Sequence, residues 1–122
     1  MTLERQALGK SGEDAAVAEL VRRGYAILER RYRTRHGEID IVAEEGGAVV
    51  FVEVKWRIGP ERGTAAEAVT VAKQRKVIAI ARDYLSRRRL THRRCRFDVV
   101  AIDGAGEMAR LTLYRGAFDA SR

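Results

Sequence analysis

Two short apolar runs near the middle of the chain constrain its fold more than any other feature. They are the segments Gly37–Val42 (GEIDIV) and Val50–Lys55 (VFVEVK). Runs rich in Val, Ile and Phe predict β-strands, and Glu44-Glu45-Gly46-Gly47 between them predicts a turn. Burying a carboxylate or an ammonium is costly unless a partner or a metal compensates the charge. The acids and the lysine inside these runs therefore predict a functional site within a β-hairpin.

The spacing of the charged residues indicates that they share one side of this hairpin. We expect an antiparallel register with Ala43 opposite Ala48, Glu38 opposite Glu53 and Asp40 opposite Phe51. The charged face then carries Asp40, Glu53 and Lys55. The other face carries Ile39, Ile41, Val50, Val52 and Val54. A one-residue bulge at the glycine pair would break this parity.

The remaining pattern predicts an α/β sandwich with a mixed central sheet, in the order α-β-β-β-α-β-β. A first helix is expected from about Gly12 to Arg23, with Gly24 ending it. The second helix is expected from a capping box at Thr64-Ala65-Ala66-Glu67 to about Arg87. The other strands are expected at Tyr25–Tyr32, Cys95–Ile102 and Arg110–Tyr114. Residues 1–122 are expected to form one domain with a core at about 9–116 and a loose tail after Gly116.

Positive charge is concentrated in two segments. The chain has 24 Lys and Arg against 17 Asp and Glu, for a net charge of +7. Segments Arg22–Arg35 and Lys73–Arg96 hold most of the excess, which is typical of a nucleic-acid binder, although a solvated basic face gives the same pattern. The candidate binding residues are Arg33, Arg35, Lys73, Arg75, Lys76, Arg87, Arg88, Arg89, Arg93 and Arg94.

The cysteine content and hydropathy point to a cytoplasmic protein. A single cysteine, Cys95, excludes an intrachain disulfide and fits a reducing compartment. We find no signal peptide and no apolar run near the length of a membrane span, so no membrane partner is expected.

The charged hairpin face has the chemistry of a magnesium-dependent phosphodiesterase. Mg²⁺ (or Mn²⁺) prefers carboxylate oxygens, so Asp40 and Glu53 are candidate ligands, with the backbone carbonyl of Val54 as a third. Lys55 is placed to orient a water or to stabilise the phosphate. Glu13, aligned with the apolar stripe of the first helix, is a further candidate ligand, directly or through water. The alternative is an edge-strand ion pair between Glu53 and Lys55, with Asp40 closing a turn.

The second helix supplies candidates for contact with the substrate. Gln74 lies within its apolar stripe and Lys73 lies at the edge of that stripe. Either side chain is placed to contact the scissile phosphate or the attacking nucleophile.

These motifs resemble the PD-(D/E)XK nuclease superfamily, especially archaeal Holliday-junction resolvases, and more closely the YraN-like family of small bacterial proteins. The resemblance covers about Gly9 to Ile102 and rests on GKSGEDAAVAEL, RRGYAILERRYR, HGEIDIVA, VVFVEVKWR, EAVTVAKQRKVIAIARDYL and RFDVVAI. It implies a restriction-endonuclease-like α/β/α sandwich. It also implies that Asp40, Glu53 and Lys55 form the nuclease core and that Glu13 is the helix-borne acid. Ile39 stands where the superfamily has proline.

The expected function is a metal-dependent endonuclease that hydrolyses phosphodiester bonds in DNA, branched DNA included, without sequence specificity. One alternative is a non-catalytic nucleic-acid-binding protein that retains the nuclease fold. Another is an assembly factor whose basic face meets an acidic partner. A homodimer would suit paired cuts in a junction.

Four further residues have two interpretations each. Glu38 is either a neighbour of the site or an ion-pair partner of a nearby arginine. His36 is either a base or an exposed loop residue. Asp98 is either paired with an arginine or in contact with the site. Trp56 either packs in the core or stacks on a base.

Overall fold

The computed structural model describes residues 3–57, 69–104 and 106–120, which contain two helices and five strands. We number these elements in chain order. They are α1 (Leu3–Arg22), β1 (Ala26–Thr34), β2 (Gly37–Glu45), β3 (Ala48–Arg57), α2 (Val71–Arg87), β4 (Cys95–Asp103), a 3₁₀ turn (Gly106–Met108) and β5 (Arg110–Phe118). The predicted order of one helix, three strands, one helix and two strands is confirmed for the described residues.

The five strands form a single mixed sheet in the order β1-β2-β3-β4-β5. Only the β3–β4 pair is parallel, and the other three neighbouring pairs are antiparallel. Parallel neighbours need a crossover connection, and the segment that contains α2 provides it. The prediction of an α/β sandwich with a mixed sheet is therefore confirmed.

Each face of the sheet is covered by one helix, so the central strands are apolar on both sides. On the α2 side the core contains Val42, Phe51, Ile80, Tyr84 and Phe97 among others. On the α1 side it contains Ala16, Leu20, Val50, Val52 and Val100 among others. This burial places β3 at the centre of the molecule, with no freely accessible face along its first half.

Helix α1 begins earlier than expected and ends where expected. It starts at Leu3 rather than near Gly12. Gly24 has a positive φ of 92°, and Tyr25 N donates to Leu20 O at 2.9 Å while Gly24 N donates to Val21 O at 3.0 Å. This is a Schellman motif, which glycine permits because it has no Cβ. Val21, an apolar residue in the last turn of α1, is 54% exposed.

Helix α2 begins later than expected. The predicted capping box at 64–67 lies outside the described residues, while Val69 and Thr70 are described and are not helical. The helix starts at Val71 with Thr70 as its N-cap, whose hydroxyl accepts a hydrogen bond from Lys73 N at 3.1 Å. Val71, the first residue of the helix, is 43% exposed.

The register of the β2–β3 hairpin differs from the prediction by two residues. Ala43 pairs with Val50 instead of Ala48, and Glu45 pairs with Ala48. The turn consists of Gly46 and Gly47 alone, with φ values of 58° and 79°. Two consecutive positive φ angles are typical of a type I′ turn, which lets both glutamates before it stay in the strand. A shift of two residues preserves the parity, so Glu53 and Lys55 still share a face.

The C-terminal end of the described chain is ordered further than expected. Strand β5 continues through Gly116 to Phe118, which is buried and stacks on Phe97 with ring centroids 5.0 Å apart. The prediction of a loose tail directly after Gly116 is therefore wrong, because an aromatic residue just beyond the glycine completes the α2-side core. Neither described helix has the length and apolarity needed to cross a membrane.

Candidate active site

The site lies where β2 and β3 stop pairing. The last paired residues on this side are Ile41 and Val52, and the next residue on each strand is acidic, Asp40 and Glu53. Beyond this point the N–H of Val54 donates to Asp40 Oδ2 at 2.8 Å. A side-chain carboxylate thus takes the position that a β2 carbonyl would occupy in a continued ladder.

Asp40 also marks a change of face along β2. Ile41 packs in the α1-side core, whereas Ile39 packs in the α2-side core. The prediction that Ile39 and Ile41 share a face is therefore wrong. The reason is that β2 leaves the regular alternation once it separates from β3. Asp40 consequently lines cavities on both sides of the sheet.

Glu53 is a buried acid with an incomplete set of partners. It is only 6% exposed. Its Oε2 lies 3.5 Å from the ammonium of Lys73, while its Oε1 is buried and has no hydrogen-bond partner among the described residues. A buried carboxylate oxygen without a donor is unfavourable, so the structure holds a strong acceptor ready for a further cation or proton.

The environment disfavours the ionised form of both acids. Burial raises the pKa of Asp40, and the hydrogen bond from Val54 N–H only partly offsets this effect. Burial also raises the pKa of Glu53, and the neighbouring charge of Asp40 raises it further, while Lys73 lowers it. Two carboxylates that repel each other in a poorly solvated place are typical of a cation site or of acid–base chemistry.

The two acids open into a cavity of 420 Å³ between the sheet and the start of α2. Lys55 lines it from β3, on the same face as Glu53, and Lys73 lines it from α2. Val69 and Thr70, just before the helix, form another part of the wall. The structure therefore brings together Asp40, Glu53 and both lysines, as the sequence predicted.

Glu13 approaches Asp40 from the opposite layer. It is 6% exposed, and its two oxygens accept hydrogen bonds at 2.9 Å from Nε of Arg30 and from Nε of Arg31. A second cavity, of 220 Å³, is lined by Glu13, Asp40, Val54 and Trp56. The negative charge of Glu13 contributes to the raised pKa of Asp40. The alignment of Glu13 with the buried stripe of α1 is confirmed.

The described residues contain no group of three His, Cys, Asp or Glu side chains arranged to hold a metal ion. Asp40 and Glu53 form a pair, and Glu13 is held apart from them by its two arginines. The predicted role of Glu13 as a ligand, direct or through water, stays a prediction, as does that of the Val54 carbonyl.

Gln74 is buried as expected, but it does not line the cavity beside Asp40 and Glu53. Its Nε2 donates to Val69 O at 2.9 Å, and its Oε1 is buried without a partner. The amide thus ties the segment before α2 to the first turn of the helix. A contact of Gln74 with substrate stays a prediction.

A hard divalent cation fits the pair of acids. Carboxylate oxygens are the ligands that Mg²⁺ and Mn²⁺ prefer, and Mg²⁺ usually binds through one or two of them and keeps several waters. A cation would supply a partner for Glu53 Oε1 and would favour the ionised form of both acids, which burial disfavours.

Comparison with known proteins identifies the family of this chain. The model of "Uncharacterised protein family UPF0102" matches residues 12–102, a range that contains every acid and lysine of the site. The chain belongs to family UPF0102. A UPF0102 protein of Desulforapulum autotrophicum is 50% identical over 118 residues, which are 97% of this chain and 98% of the relative. A UPF0102 protein of Syntrophotalea carbinolica is 46% identical over 119 residues, or 98% and 97% of the two chains.

A further UPF0102 relative, from Symbiobacterium thermophilum, is 46% identical over 114 residues, covering 93% of this chain and 97% of its own length. These matches confirm the predicted YraN-like family, which is UPF0102. The similarity covers nearly the whole of each chain.

Three of the residues with two interpretations have structural roles in this UPF0102 chain. Glu38 accepts a hydrogen bond from Arg33 Nε at 3.0 Å. Asp98 is fully buried on the α1 side, where Tyr25, Arg96 and the backbone of Gly116 bind it. Trp56 packs directly against α1 at Gly12, where a Cβ would lie 2.6 Å from its Cζ3. His36 is exposed in the turn between β1 and β2.

Many of the predicted nucleic-acid-binding arginines are paired with acids or carbonyls. Arg93 binds Glu44 at 2.7 Å and the carbonyl of Gly47, and Arg94 binds the carbonyl of Gly46 at 3.0 Å. These two arginines therefore fasten the β2–β3 turn to the loop before β4. Arg35, Arg75, Lys76 and Arg89 have no ion pair within the described part of the chain.

Sequence reasoning missed the residues that hold Glu13. Arg30 and Arg31 are consecutive, and side chains of consecutive strand residues normally point to opposite faces. Both reach Glu13 because Arg31 has a positive φ of 54°, which distorts β1 locally. Nothing in a single sequence signals such a backbone angle at an arginine, so this contact required the structure.

Proposed function

We propose that this UPF0102 protein is a metal-dependent endonuclease that hydrolyses phosphodiester bonds in DNA without sequence specificity. The observation that carries the proposal is the buried Glu53 beside the half-buried Asp40, at the point where two central strands separate. They share a cavity with Lys55 and Lys73. A fold stabilised only by packing has no reason to retain such a pair.

Asp40 and Glu53 would hold the cation in this reaction. Bound Mg²⁺ or Mn²⁺ supplies charge neutralisation at the phosphate and a lowered pKa of an attacking water. Lys55 lies on the face of Glu53, where its ammonium is placed to orient the water or to stabilise the negative charge that develops on the phosphate oxygens. Lys73 is free to leave Glu53 and contact a phosphate once a cation binds the acid, because its ion pair at 3.5 Å is long.

The charge distribution supports a nucleic-acid substrate read by its backbone. Basic residues on α2 and in the β1–β2 turn flank the acid pair, and phosphate contacts carry no sequence information. Branched DNA is one substrate class that this arrangement serves, and paired cuts there would call for a homodimer.

One observation favours a second candidate, a nucleic-acid-binding protein that retains the nuclease fold without catalysis. Only two acids meet at the site within the described residues, where a third acidic ligand would strengthen cation binding. Binding without cleavage on any DNA structure would support this candidate.

The test is a cleavage assay on duplex, single-stranded, flap and four-way-junction DNA with Mg²⁺ or Mn²⁺. We expect cleavage by the wild-type protein, and losses of about 100-fold or more in Asp40→Asn, Glu53→Gln and Lys55→Met. Glu107→Gln is the control for loss of an acid, because Glu107 is exposed and lines neither the cavity nor the basic surface of α2. Cleavage that continues undiminished in Asp40→Asn and Lys55→Met would overturn the proposal.

A further inference from the structure

A separate basic groove lies between the β1–β2 turn and the C-terminal half of α2. Its volume is 760 Å³, which exceeds that of the cavity beside Asp40 and Glu53. Its walls carry the four arginines Arg33, Arg35, Arg87 and Arg88 against the single acid Asp83. An open groove with this excess of positive charge fits an anionic ligand.

The acids around the groove hold two of the arginines by one edge only. Arg87 donates from Nε to the two Asp83 oxygens at 3.0 and 3.1 Å, and Asp83 is itself held by the hydroxyl of Tyr32 at 2.8 Å. Arg33 likewise uses Nε, to Glu38. A guanidinium has five N–H donors, so the terminal nitrogens of both groups stay available within the described structure. Such oriented guanidinium groups suit the paired oxygens of a phosphate.

The other two arginines add charge in different ways. Arg88 donates to both oxygens of Glu29 at 2.9 Å and lies over the ring of Tyr84, which fixes its position at the groove wall. Arg35 is exposed in the turn and has no ion pair with a described residue. The groove therefore combines positioned charges with one charge that is free to follow a ligand.

Helix α2 connects the groove to the acid pair. Near its start Lys73 lies 3.5 Å from Glu53, and one turn later the stem of Lys76 packs over Gly37, where a Cβ would lie 3.5 Å from Lys76 Cδ. At its far end Asp83 and Arg87 form the groove. Lys73 and Lys76 therefore lie on α2 between the cavity at the acid pair and the basic groove.

Element geometry sets the distance between the groove and the acids. Gly37 precedes Asp40 by three strand residues, or roughly 10 Å, and Arg87 follows Lys73 by fourteen helical residues, or roughly 21 Å. Successive phosphates of one strand advance by about 3.4 Å along the axis of a duplex. The groove therefore lies about three to six phosphates from a bond held at the acid pair.

We infer that this groove binds the phosphodiester backbone of the substrate strand, three to six phosphates from the bond held at Asp40 and Glu53. The inference rests on the proposed function in taking the substrate to be a nucleic acid. The inference adds a minimum length that the substrate strand must have on one side of the bond held at Asp40 and Glu53. Two aromatic rings of the described residues line the groove: Tyr32 is engaged with Asp83, and His36 is exposed in the β1–β2 turn.

Binding of labelled oligothymidylates of two to twelve nucleotides, measured by fluorescence anisotropy in EDTA, tests the groove without any catalysis. For the wild-type protein we expect affinity to rise sharply within the first six nucleotides or so, because an extended single strand spaces its phosphates more widely than the rise of about 3.4 Å in a duplex. Arg35→Gln and Arg87→Gln together should abolish that rise, weaken binding of the twelve-nucleotide probe roughly tenfold, and lower its salt slope by about 0.7 per arginine.

Arg82→Gln is the matched control, because Arg82 is exposed on the same helix and does not line the groove. Arg35→Gln alone removes no contact made within the described chain, so it should retain the wild-type melting temperature and still lose affinity. Groove variants that bind every length as the wild type does would overturn the inference and leave the cleavage result unaffected. If these variants lose binding and the wild-type protein cleaves no substrate, the results support backbone binding in the groove and refute the proposed catalysis.

Discussion

The lack of a side chain at Gly12 allows α1 to pack closely against β3 near the acid pair. The indole of Trp56 lies flat against α1 because Gly12 has no side chain, and Trp56 in turn forms one wall of the cavity between Glu13 and Asp40. A glycine inside a helix is normally unfavourable relative to alanine, by up to about 1 kcal/mol. Here close packing outweighs helix propensity, and the glycine sets the distance between α1 and β3.

Gly12→Ala should therefore destabilise the protein even though alanine is the better helix former. The new methyl group would overlap Trp56, and we expect the free energy of unfolding to fall by about 1–3 kcal/mol in urea denaturation. In a Trp56→Leu background the same change should be neutral or stabilising, because the obstructing ring is absent. Equal destabilisation in both backgrounds would show that the contact with Trp56 is not the cause.

Among the elements of the fold, helix α2 has three separate roles. Its apolar side covers the sheet, its first turn brings Lys73 to Glu53, and its last turns form the basic groove. The start of the helix is therefore a sensitive point, since Thr70 both caps α2 and lines the cavity at the acids.

Thr70→Ala should cost about 1 kcal/mol of stability, because Lys73 N–H loses its acceptor. Thr70→Ser retains the hydroxyl and should remain close to the wild type in thermal denaturation. Thr112→Ala, at an exposed position of β5, provides the control for removal of a threonine elsewhere. A Thr70→Ala variant no less stable than the Thr112→Ala variant would contradict the capping role.

For the whole molecule, the acid pair makes stability dependent on pH. The folded-state pKa values of Asp40 and Glu53 lie above their ordinary values, so the folded protein binds more protons than the unfolded chain between about pH 4 and about pH 8. The contribution of these acids is most favourable below that window. It is lost as the pH rises through it.

Glu53→Gln should therefore flatten the decrease in stability that the wild type shows between pH 5 and pH 8. We expect a difference on the order of 1 kcal/mol per unit of raised pKa, measured by urea denaturation at each pH. Millimolar Mg²⁺ should stabilise the wild type at pH 9, above the pKa of both acids, and should leave the variant nearly unchanged. Identical pH profiles for the two proteins would show that Glu53 does not titrate in this window.

The sequence predicted the centre of this site better than its surroundings. Glu53 and Lys55 are two residues apart on one strand and share a face in any register, so the two-residue error in the hairpin did not affect them. Asp40 lines the same cavity, although the separation of β2 from β3 beside it leaves no sequence pattern. Thr70 was missed as the cap because Lys73, three residues on, is not the acid of a capping box.

The side-chain acceptor on Val54 gives the site a spectroscopic reporter inside the sheet. The chemical shift of a backbone amide proton depends strongly on the charge of its acceptor, and the acceptor of the Val54 N–H is the carboxylate of Asp40 at 2.8 Å. Protonation of that carboxylate, or a cation on its other oxygen, weakens the bond and changes the resonance. A single amide peak in a ¹⁵N-labelled sample thus follows the state of the acid pair, with no substrate and no substitution.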